Sequence, residues 1–449
     1  MDIKYYENYM KEILDKTAEY GFEEAEVKYT NSSSMSLAVL DGEVSSYENS
    51  VEQGISFRGK KNGQIGRAAT SIFDENTIDF LLKNAAESTE LLSDEDEGFF
   101  YADKEHPVLT NIELSGAYDK NTYNKFKEIG LAIEAEIKSL SPLVTAVDDI
   151  NLSCTIGPTV IMNTKGLHTY QDADYVSVIA AARCEDNGIV KSGENYWAGK
   201  DIDDFDVKAF SKELTEKMLP KLEARSIASG TYNIVLGNEA LINLFAGFLS
   251  SFSAYEMSKG LSMLKDKEGT KIASDLLTVT EDPMYEKALF HFPFDDEGVI
   301  TDKKDIIENG VFKTALYNLK TANMSGRKST GNGFNSSTGA SNLIVKPGEY
   351  DLDGLFAFVK DGVYITEISG LHAGLNPITG DFSLLAEGYL IKDSKKGRAV
   401  EQITVADNFF EVLKKITAVG NDMKNLPECE GEIISPSVAI RDIAIAGEA

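Results

Sequence analysis

The chain has 449 residues, and its 44 Lys and Arg stand against 73 Asp and Glu, which gives a net charge of −29. Nucleic-acid affinity comes largely from Lys and Arg that release counterions from phosphates, so we expect no nucleic-acid partner. The length favours one to three domains, and a composition with 42% apolar residues, 36 Gly and 10 Pro is typical of a folded globular protein.

The apolar stretches are too short or too interrupted for export or membrane insertion. Residues 1–7 carry charges where a signal peptide needs an apolar core. Residues 240–249 form the most apolar stretch, about half the ~20 residues that a membrane span needs. We therefore expect a soluble, cytoplasmic protein with no membrane partner. Its three cysteines are too scattered for a disulfide framework or a CxxC zinc ribbon: Cys154, Cys184 and Cys429.

The first quarter of the chain predicts a helix followed by hairpins. Apolar residues recur at helical spacing over residues 3–20, and Gly21 marks the end of that helix. Asp41-Gly42 and Asn62-Gly63 are dipeptides that favour tight hairpin turns. They separate alternating segments that predict an antiparallel meander: residues 26–29, 34–40, 43–47, 54–58 and 64–70.

Helices and a second set of strands complete the predicted N-terminal domain, residues 1–225. Apolar periodicity predicts helices over residues 74–92 and 120–140, and again over residues 207–222. Residues 144–196 between them favour antiparallel strands. Small polar residues at 226–230 mark the predicted domain boundary.

The predicted C-terminal domain, residues 226–449, is rich in strands. A strand at residues 231–236 leads to a helix that Asn238 could cap. Residues 250–274 are polar and predict a mobile loop or a surface excursion. From residue 299 onward we expect short strands and Gly turns, with one helix near residues 408–419. Strands and helices without repeated βαβ units favour an α+β fold, with antiparallel sheets and flanking helices in the first half and a β-rich second half.

The four histidines are isolated from one another. No two lie within five positions, which excludes HExxH and related helical zinc motifs. His106 and His168 are predicted to lie on the surface. His291, with acidic residues at 295–297 nearby, could bind zinc together with His372 and the Cys429 thiolate, but stabilisation of turns by these polar groups is the favoured interpretation.

Two glycine-rich segments are candidate binding loops. Residues 325–333 superficially suggest a phosphate loop, but the spacing is not GxxxxGK[ST] and no helix pattern follows, so a flexible loop is favoured. Residues 365–383 predict a strand, a long shaped turn and another strand. A binding role and a purely structural role for this turn both remain open.

Four motifs in the second half of the chain, together with the single helix and hairpins at its front, resemble the TldD/PmbA family, long labelled modulators of DNA gyrase, and its PmbA (TldE) branch in particular. The motifs are residues 294–298 (Phe-Asp-Asp-Glu-Gly), 329–332 (Ser-Thr-Gly-Asn), 370–383, and 418–422 (Ala-Val-Gly-Asn-Asp). The resemblance covers essentially the whole chain. It implies an α+β first half, a β-rich second half, dimers around a central cavity, and peptide hydrolysis.

The same resemblance implies that this chain lacks a catalytic centre. In the TldD branch a helix carries HExxxH, and a Cys near the C-terminus completes a zinc site. By approximate alignment Ile242, Asn243 and Gly247 occupy the His, Glu and His places. Ile and Gly offer no ligand, and Asn is too weak a base to activate water. Cys429 falls near the third ligand position, where a lone thiolate would hold zinc poorly.

The resemblance therefore predicts a metal-free subunit, with no catalytic residues and no cofactor of its own, that positions unfolded peptide for a zinc-bearing TldD-like partner. Strand addition would suit an extended peptide. The alternatives are a stand-alone peptide-binding or scaffold homodimer and, less favoured, a metallopeptidase in its own right. The candidate contacts for peptide or partner come from the two glycine-rich segments: Ser329, Thr330, Asn332, His372, Asn376, Thr379 and Asp381.

Overall fold

The computed structural model describes residues 3–74, 76–91, 100–102 and 105–448. Contacts divide the chain into two compact units, Met1–Leu219 with Asp296–Ile300, and Pro220–Asp295 with Thr301–Ala449. The sequence placed the division at residue 225. The contacts place it at Leu219 and also assign a short later segment to the first unit.

In its described residues, the first unit combines five α-helices with one large sheet. The helices are α1 (Ile3–Lys16), α2 (Thr77–Glu90), α3 (Ala117–Lys120), α4 (Tyr123–Leu140) and α5 (Val207–Met218). The strands are β1 (Glu24–Leu40), β2 (Glu43–Lys61), β3 (Gln64–Thr70), β4 (Val108–Glu113), β5 (Val144–Ile156), β6 (Thr159–Asn163), β7 (His168–Asp186) and β8 (Ile189–Gly199).

The meander predicted from the first hairpin signals is confirmed, but its strands are longer than expected. Asp41 and Asn62 have φ angles of 51° and 52°, as the two tight turns require. The predicted short segments merge into β1 and β2, of 17 and 19 residues. Residues 45–52 of β2 are exposed on both faces, so the apolar alternation disappears there while the backbone ladder continues.

The strand order of this sheet is β3-β2-β1-β5-β7-β4, with β6 paired to β1 and β7, and β8 paired to β7. All pairs are antiparallel except β4 with β7. The residues that α1 and α2 bury against the sheet include Met10, Ile13 and Leu81, which share a core with Val27 and Phe57. The predicted helices of this half are thereby confirmed, each shorter than its sequence range by a few residues.

The second unit contains two main sheets and six helices. The helices are α6 (Asn238–Phe248), α7 (Ala254–Ser258), α8 (Leu319–Met324), α9 (Leu352–Val359), α10 (Leu371–Gly374) and α11 (Phe409–Lys414). The strands are β9 (Gly230–Leu236), β10 (Val279–Glu281), β11 (Lys304–Glu308), β12 (Val311–Phe312), β13 (Gly333–Phe334), β14 (Ser337–Thr338), β15 (Leu343–Val345), β16 (Gly362–Ser369), β17 (Asp381–Lys392), β18 (Lys395–Asn408), β19 (Ile416–Val419), β20 (Lys424–Leu426), β21 (Ile433–Ser435) and β22 (Val438–Gly447).

One of these sheets closes on itself. Its order is β18-β17-β16-β9-β22-β19, and β18 also pairs with β22, so five strands form a ring. Closure leaves no free edge along the paired residues. The ring is filled by apolar side chains and by the inner face of α6, including Ile234, Leu236, Leu244, Ile365 and Phe382. The second sheet, β12-β11-β10-β15-β21-β20, lies in the same unit. The α+β architecture with a β-rich second half is confirmed.

The structure corrects the predicted cap of α6. The helix is present, but Gly237 is its N-cap and Asn238 is already helical. The Asn238 side chain donates instead to the main-chain oxygen of Asp422 at 2.8 Å. A residue type that favours caps is used here for a long-range contact.

Residues 250–274, predicted to form a mobile loop, are packed into the unit. A 3₁₀ turn at Leu249–Phe252 and helix α7 lie in this stretch, and Phe252, Leu264 and Ala273 are buried. The prediction of a mobile loop is therefore wrong, because serine was taken as a sign of mobility. The Ser262 hydroxyl is buried and donates to the Ser251 carbonyl at 2.6 Å. The alternative of a surface excursion holds for part of the segment, since residues 258–261 are exposed.

The expectation of a single helix after residue 299 is also wrong. Only residues 409–414 of the predicted helix are helical, and β19 follows directly. The unit has further short helices, of which α9 has eight residues and packs Leu355 and Phe356 into a core. None of the described helices is long and apolar enough to span a membrane.

Gly66 sets how closely α2 approaches β3. A Cβ at this position would stand 1.9 Å from the Ala85 carbonyl oxygen. We expect Gly66→Ala to lower the free energy of unfolding by about 1–3 kcal/mol, because the helix has to move outward. Gly54→Ala in the same meander is the matched control, since its nearest contact would be an ordinary 3.5 Å. Equal urea midpoints for the two variants would contradict this packing.

Candidate functional site

At the three positions of helix α6 that the sequence comparison singled out, no side chain is a carboxylate or an imidazole; the acidic residue of the helix, Glu239, lies in its first turn, 3.5 Å from the Lys424 ammonium. Ile242 is fully buried in the core of the second unit, and Asn243 is partly exposed. Gly247 lies against the turn that follows β16. A Cβ built there would be 2.3 Å from Cδ1 of Leu375 and 3.7 Å from Cδ2 of Leu371. The space in which a larger side chain at residue 247 would stand is filled by leucine.

Cys429 is held as a neutral thiol. Its Sγ donates to the Ser341 carbonyl at 2.7 Å, and its side chain packs against the apolar core. Burial raises the pKa of this thiol far above its usual value. Since only the thiolate is a good zinc ligand, this environment opposes metal binding at Cys429. All three cysteines, which lie in the described part of the chain, are free thiols.

The turn between β16 and β17 is organised by its own polar side chains. Asn376 Oδ1 accepts from the backbone amides of Ile378 and Thr379 at 3.1 and 3.3 Å. The backbone N–H of Asn376 donates to the backbone carbonyl of Asp381 at 2.8 Å. These bonds give the predicted shaped turn, which is confirmed, and α10 occupies its first part. His372 and Thr379 have exposed side chains.

Asp381 anchors this turn to the end of β18. Its carboxylate accepts from Asn408 Nδ2 at 3.0 Å and from the Thr379 hydroxyl at 2.8 Å. The bond from Asn408, followed by that from Thr379, lowers the pKa of Asp381. An ionised, exposed carboxylate with oriented neighbours can accept further hydrogen bonds from a peptide or a partner.

The loop around Ser329 is pinned from within, contrary to its flexible appearance in the sequence. The Ser329 hydroxyl donates to the Tyr317 carbonyl at 3.0 Å. The Thr330 hydroxyl donates to Asn332 Oδ1 at 2.6 Å. Asn332 is completely buried and donates to Gly339 O at 2.8 Å. Asn332 therefore supports the fold and offers no surface for a ligand.

A fully buried carboxylate, Glu281, lies at the centre of these contacts. Its Oε1 accepts from Asn332 Nδ2 at 2.7 Å and from the backbone amide and hydroxyl of Ser341 at 2.7 and 2.9 Å. Its Oε2 lies 2.7 Å from the Lys304 ammonium. Glu281 thus connects the Ser329 loop to Ser341, the residue that holds Cys429. Sequence reasoning missed it because a lone Glu in a polar segment looks solvated.

The segment after α6 brings the two candidate loops to one place. The Ser251 hydroxyl donates to the Pro377 carbonyl at 3.0 Å, in the turn that contains Asn376. The Ser253 hydroxyl is hydrogen-bonded to Thr338, whose strand pairs with Gly333 at the end of the other loop. The C-terminal end of α6 is therefore flanked by both glycine-rich segments.

The histidines do not form a metal site. Within the part of the chain that the structure describes, no three His, Cys, Asp or Glu side chains lie close enough to hold a metal ion. His291, His372 and Cys429 are not brought together, and His291 Nε2 lies 3.1 Å from the Tyr285 carbonyl oxygen. His106 is exposed, whereas His168 is half-buried with Nε2 2.8 Å from Glu7, which corrects its prediction as a surface residue.

The second unit thus combines a ring of five strands, helix α6 packed against it and two glycine-rich loops near the end of that helix. Two family descriptions match the chain: PmbA/TldA metallopeptidase C-terminal domain over residues 229–447, and PmbA/TldA metallopeptidase domain 1 over residues 25–89. The chain belongs to the PmbA/TldD family.

Full-length relatives support this assignment. An uncharacterised protein of Methanocaldococcus jannaschii is 30% identical over 438 residues, covering 94% of this chain and 96% of the relative. The Metalloprotease PmbA of Escherichia coli O157:H7 is 24% identical, with 94% and 92% covered.

Solved structures show the same fold over the whole chain. A putative modulator of a DNA gyrase from Thermotoga maritima superposes with a TM-score of 0.88 at 28% identity, covering 98% of this chain and 100% of its own. TldE from Thermococcus kodakarensis has a TM-score of 0.84 at 22% identity, with the same coverage, and supports the fold alone.

The Glu281 contacts predict a large stability effect. We expect Glu281→Ala to lower the free energy of unfolding by about 3 kcal/mol, because it leaves Lys304 and Asn332 without their buried partner. Glu308→Ala is the control, since its pair with Lys313 is 46% exposed on both sides and should change stability by less than about 1 kcal/mol. Urea denaturation measures both. Similar losses for the two variants would show that the Glu281 network is not a structural centre.

Restoring the ligand types on α6 should not create a zinc site. In the triple variant Ile242→His, Asn243→Glu, Gly247→His, the imidazole at residue 247 meets Leu375, and the one at residue 242 is directed into the apolar core. We expect a lower melting temperature and substoichiometric zinc by elemental analysis. Tight stoichiometric zinc in a fully folded variant would contradict this interpretation of the helix.

Proposed function

We propose that this chain is the non-catalytic subunit of a PmbA/TldD-type peptidase system, and that it binds unfolded peptide and positions it for a zinc-bearing TldD-like partner. The observation that carries the proposal is the packing of α6: Gly247 is covered by Leu375, and Ile242 lies in the core. Residue types and surroundings both oppose zinc at this helix. Several relatives are named metalloproteases, which supports a peptidase context for the family.

The role left to this chain is binding and orientation. Positioning a peptide relative to a catalytic group lowers the entropic part of the barrier without any chemistry in the positioning subunit. The exposed side chains of the β16–β17 turn, His372, Thr379 and Asp381, are the proposed contacts, because the turn behind them is held by its own hydrogen bonds. A rigid turn loses little conformational entropy when a partner binds.

Mixing experiments test this role. The purified chain alone should not hydrolyse fluorescein-labelled casein, and adding a TldD-like protein with an intact HExxxH from the same genome should form a complex in size-exclusion chromatography and raise the hydrolysis rate. His372→Ala should weaken complex formation or raise KM by roughly fivefold, as for a typical interface residue. Lys395→Ala, at the start of β18 and paired with the far end of β17, is the control for a neutral surface change.

The outcomes separate the alternatives. Hydrolysis by the isolated chain, abolished by a chelator, would show that it is a metallopeptidase in its own right. If no complex forms and the hydrolysis rate stays the same after mixing, the subunit role is wrong and the chain acts by itself, as a stand-alone binding or scaffold protein would.

A further inference from the structure

The first unit has a long strand edge with which no strand of the described residues pairs. Among the described residues, β2 pairs with β1 along its whole length, but with β3 only from Ile55 onward. Residues 43–53 therefore form an edge of about eleven residues, roughly 36 Å long. The part of this edge at residues 45–52 is exposed, including Tyr47 at 44% and Val51 at 60%.

The orientation of the backbone along this edge follows from the Asn62-Gly63 turn. In such a turn Lys61 and Gln64 form a hydrogen-bonded pair, so alternate residues of β2 direct their N–H and C=O groups towards β3. The register with β1 is continuous from residue 46 to residue 60. Tyr47, Asn49 and Val51, and Gln53 after them, therefore direct their N–H and C=O groups away from β1, where a further strand would stand.

The edge is held in place at both ends. At the hairpin tip the Gly42 amide donates to Glu134 Oε2 of α4 at 2.8 Å. The ring of Tyr47 lies edge-on to Tyr123 with 5.2 Å between centroids. At the other end the Tyr6 hydroxyl donates to Gln53 Oε1 at 2.9 Å. A fixed edge offers its main-chain groups without an ordering cost.

Lys and Pro, which protect many natural edges from strand pairing, are absent from this edge. Residues 43–53 contain neither, and the bulge opposite Ala38 and Val39 lies close to the tip. The remaining protection comes from the acidic residues Glu43, Glu48 and Glu52, which oppose pairing with a like-charged strand. A preformed edge of this kind can accept an extended chain of opposite charge.

The charged side chains along β2 determine which kind of extended chain can pair with this edge. Glu48 and Glu52 are exposed and lie on one face of β2, four residues and about 13 Å apart. Antiparallel pairing with a second copy would place Glu48 opposite Glu48 when centred on residue 48, and Glu48 opposite Glu52 twice when centred on residue 50, and like charges directly opposite destabilise a sheet. An extended segment with Lys or Arg four residues apart would instead place each cation opposite a carboxylate.

We propose that residues 47–53 of β2 bind an extended basic peptide by strand addition, with cations at positions i and i+4 opposite Glu52 and Glu48 and apolar residues between them near Val51. This inference rests on the peptide-handling role proposed above and names a substrate class for it. The unfolded substrate would be recognised through its main chain and selected through its charge.

Binding to the isolated full chain tests the proposal without any partner protein. The probe is a fluorescein-labelled peptide, Thr-Lys-Val-Thr-Val-Lys-Thr, measured by fluorescence anisotropy. Exchange of both Lys for Glu should abolish binding. Methylation of both Val amide nitrogens, which face β2, should weaken binding at least tenfold, whereas methylation of the central Thr amide, which faces away, should change it less than about twofold.

Matched variants of the protein test the same edge. Glu48→Lys/Glu52→Lys should weaken binding on the order of tenfold. Val51→Pro, which removes one outward N–H, should weaken it about fivefold, and Val51→Thr, which keeps that N–H, should not. Circular dichroism melting verifies that each variant is folded.

Equal affinity for the two methylated peptides, or unchanged binding by the charge variant, would overturn strand addition at this edge. A homodimer that Val51→Pro dissociates would also overturn it, by assigning the edge to a second copy. A failure here leaves the complex and rate measurements with the TldD-like protein unaffected, so the two proposals can fail independently.

Discussion

The contact between α6 and the β16–β17 turn is the constraint that decides what this chain can do. Gly247 allows Leu375 to approach the helix, and that approach brings the turn against the C-terminal end of α6. A side chain at residue 247 would require Leu375 to leave its present position. The packing of the turn against α6 therefore depends on the absence of a side chain at residue 247.

Buried polar groups hold the surroundings of that helix in one arrangement. Glu281, Asn332 and Ser341 are almost completely inaccessible and satisfy one another, while Lys304 balances the buried charge. Such networks are costly when incomplete and specific when complete. They explain why the glycine-rich segment near Ser329 is ordered by its neighbours, and why the Ser341 carbonyl is held where it accepts from the Cys429 thiol.

Local patterns in the sequence were sufficient for the elements but not for the site. Asp41-Gly42 and Asn62-Gly63 predicted the hairpins correctly, because a tight turn depends on two residues alone. The apolar spacing of α6 predicted the helix for the same reason. The role of Asn238, the burial of Ser251 and the position of Glu281 depend on partners between about 50 and 200 positions away, and no local pattern contains that information.

Strand addition and net charge together determine how the proposed positioning subunit could discriminate among peptides. Main-chain hydrogen bonds are the same for every sequence, so an edge that uses them alone cannot select. Exposed carboxylates at Glu48 and Glu52 add a preference for cationic segments, and the overall charge of −29 raises the encounter rate with such segments. Both effects weaken as salt shortens the screening length. Selectivity that falls with ionic strength while affinity for neutral extended peptides stays constant would therefore separate the contribution of charge from that of the backbone.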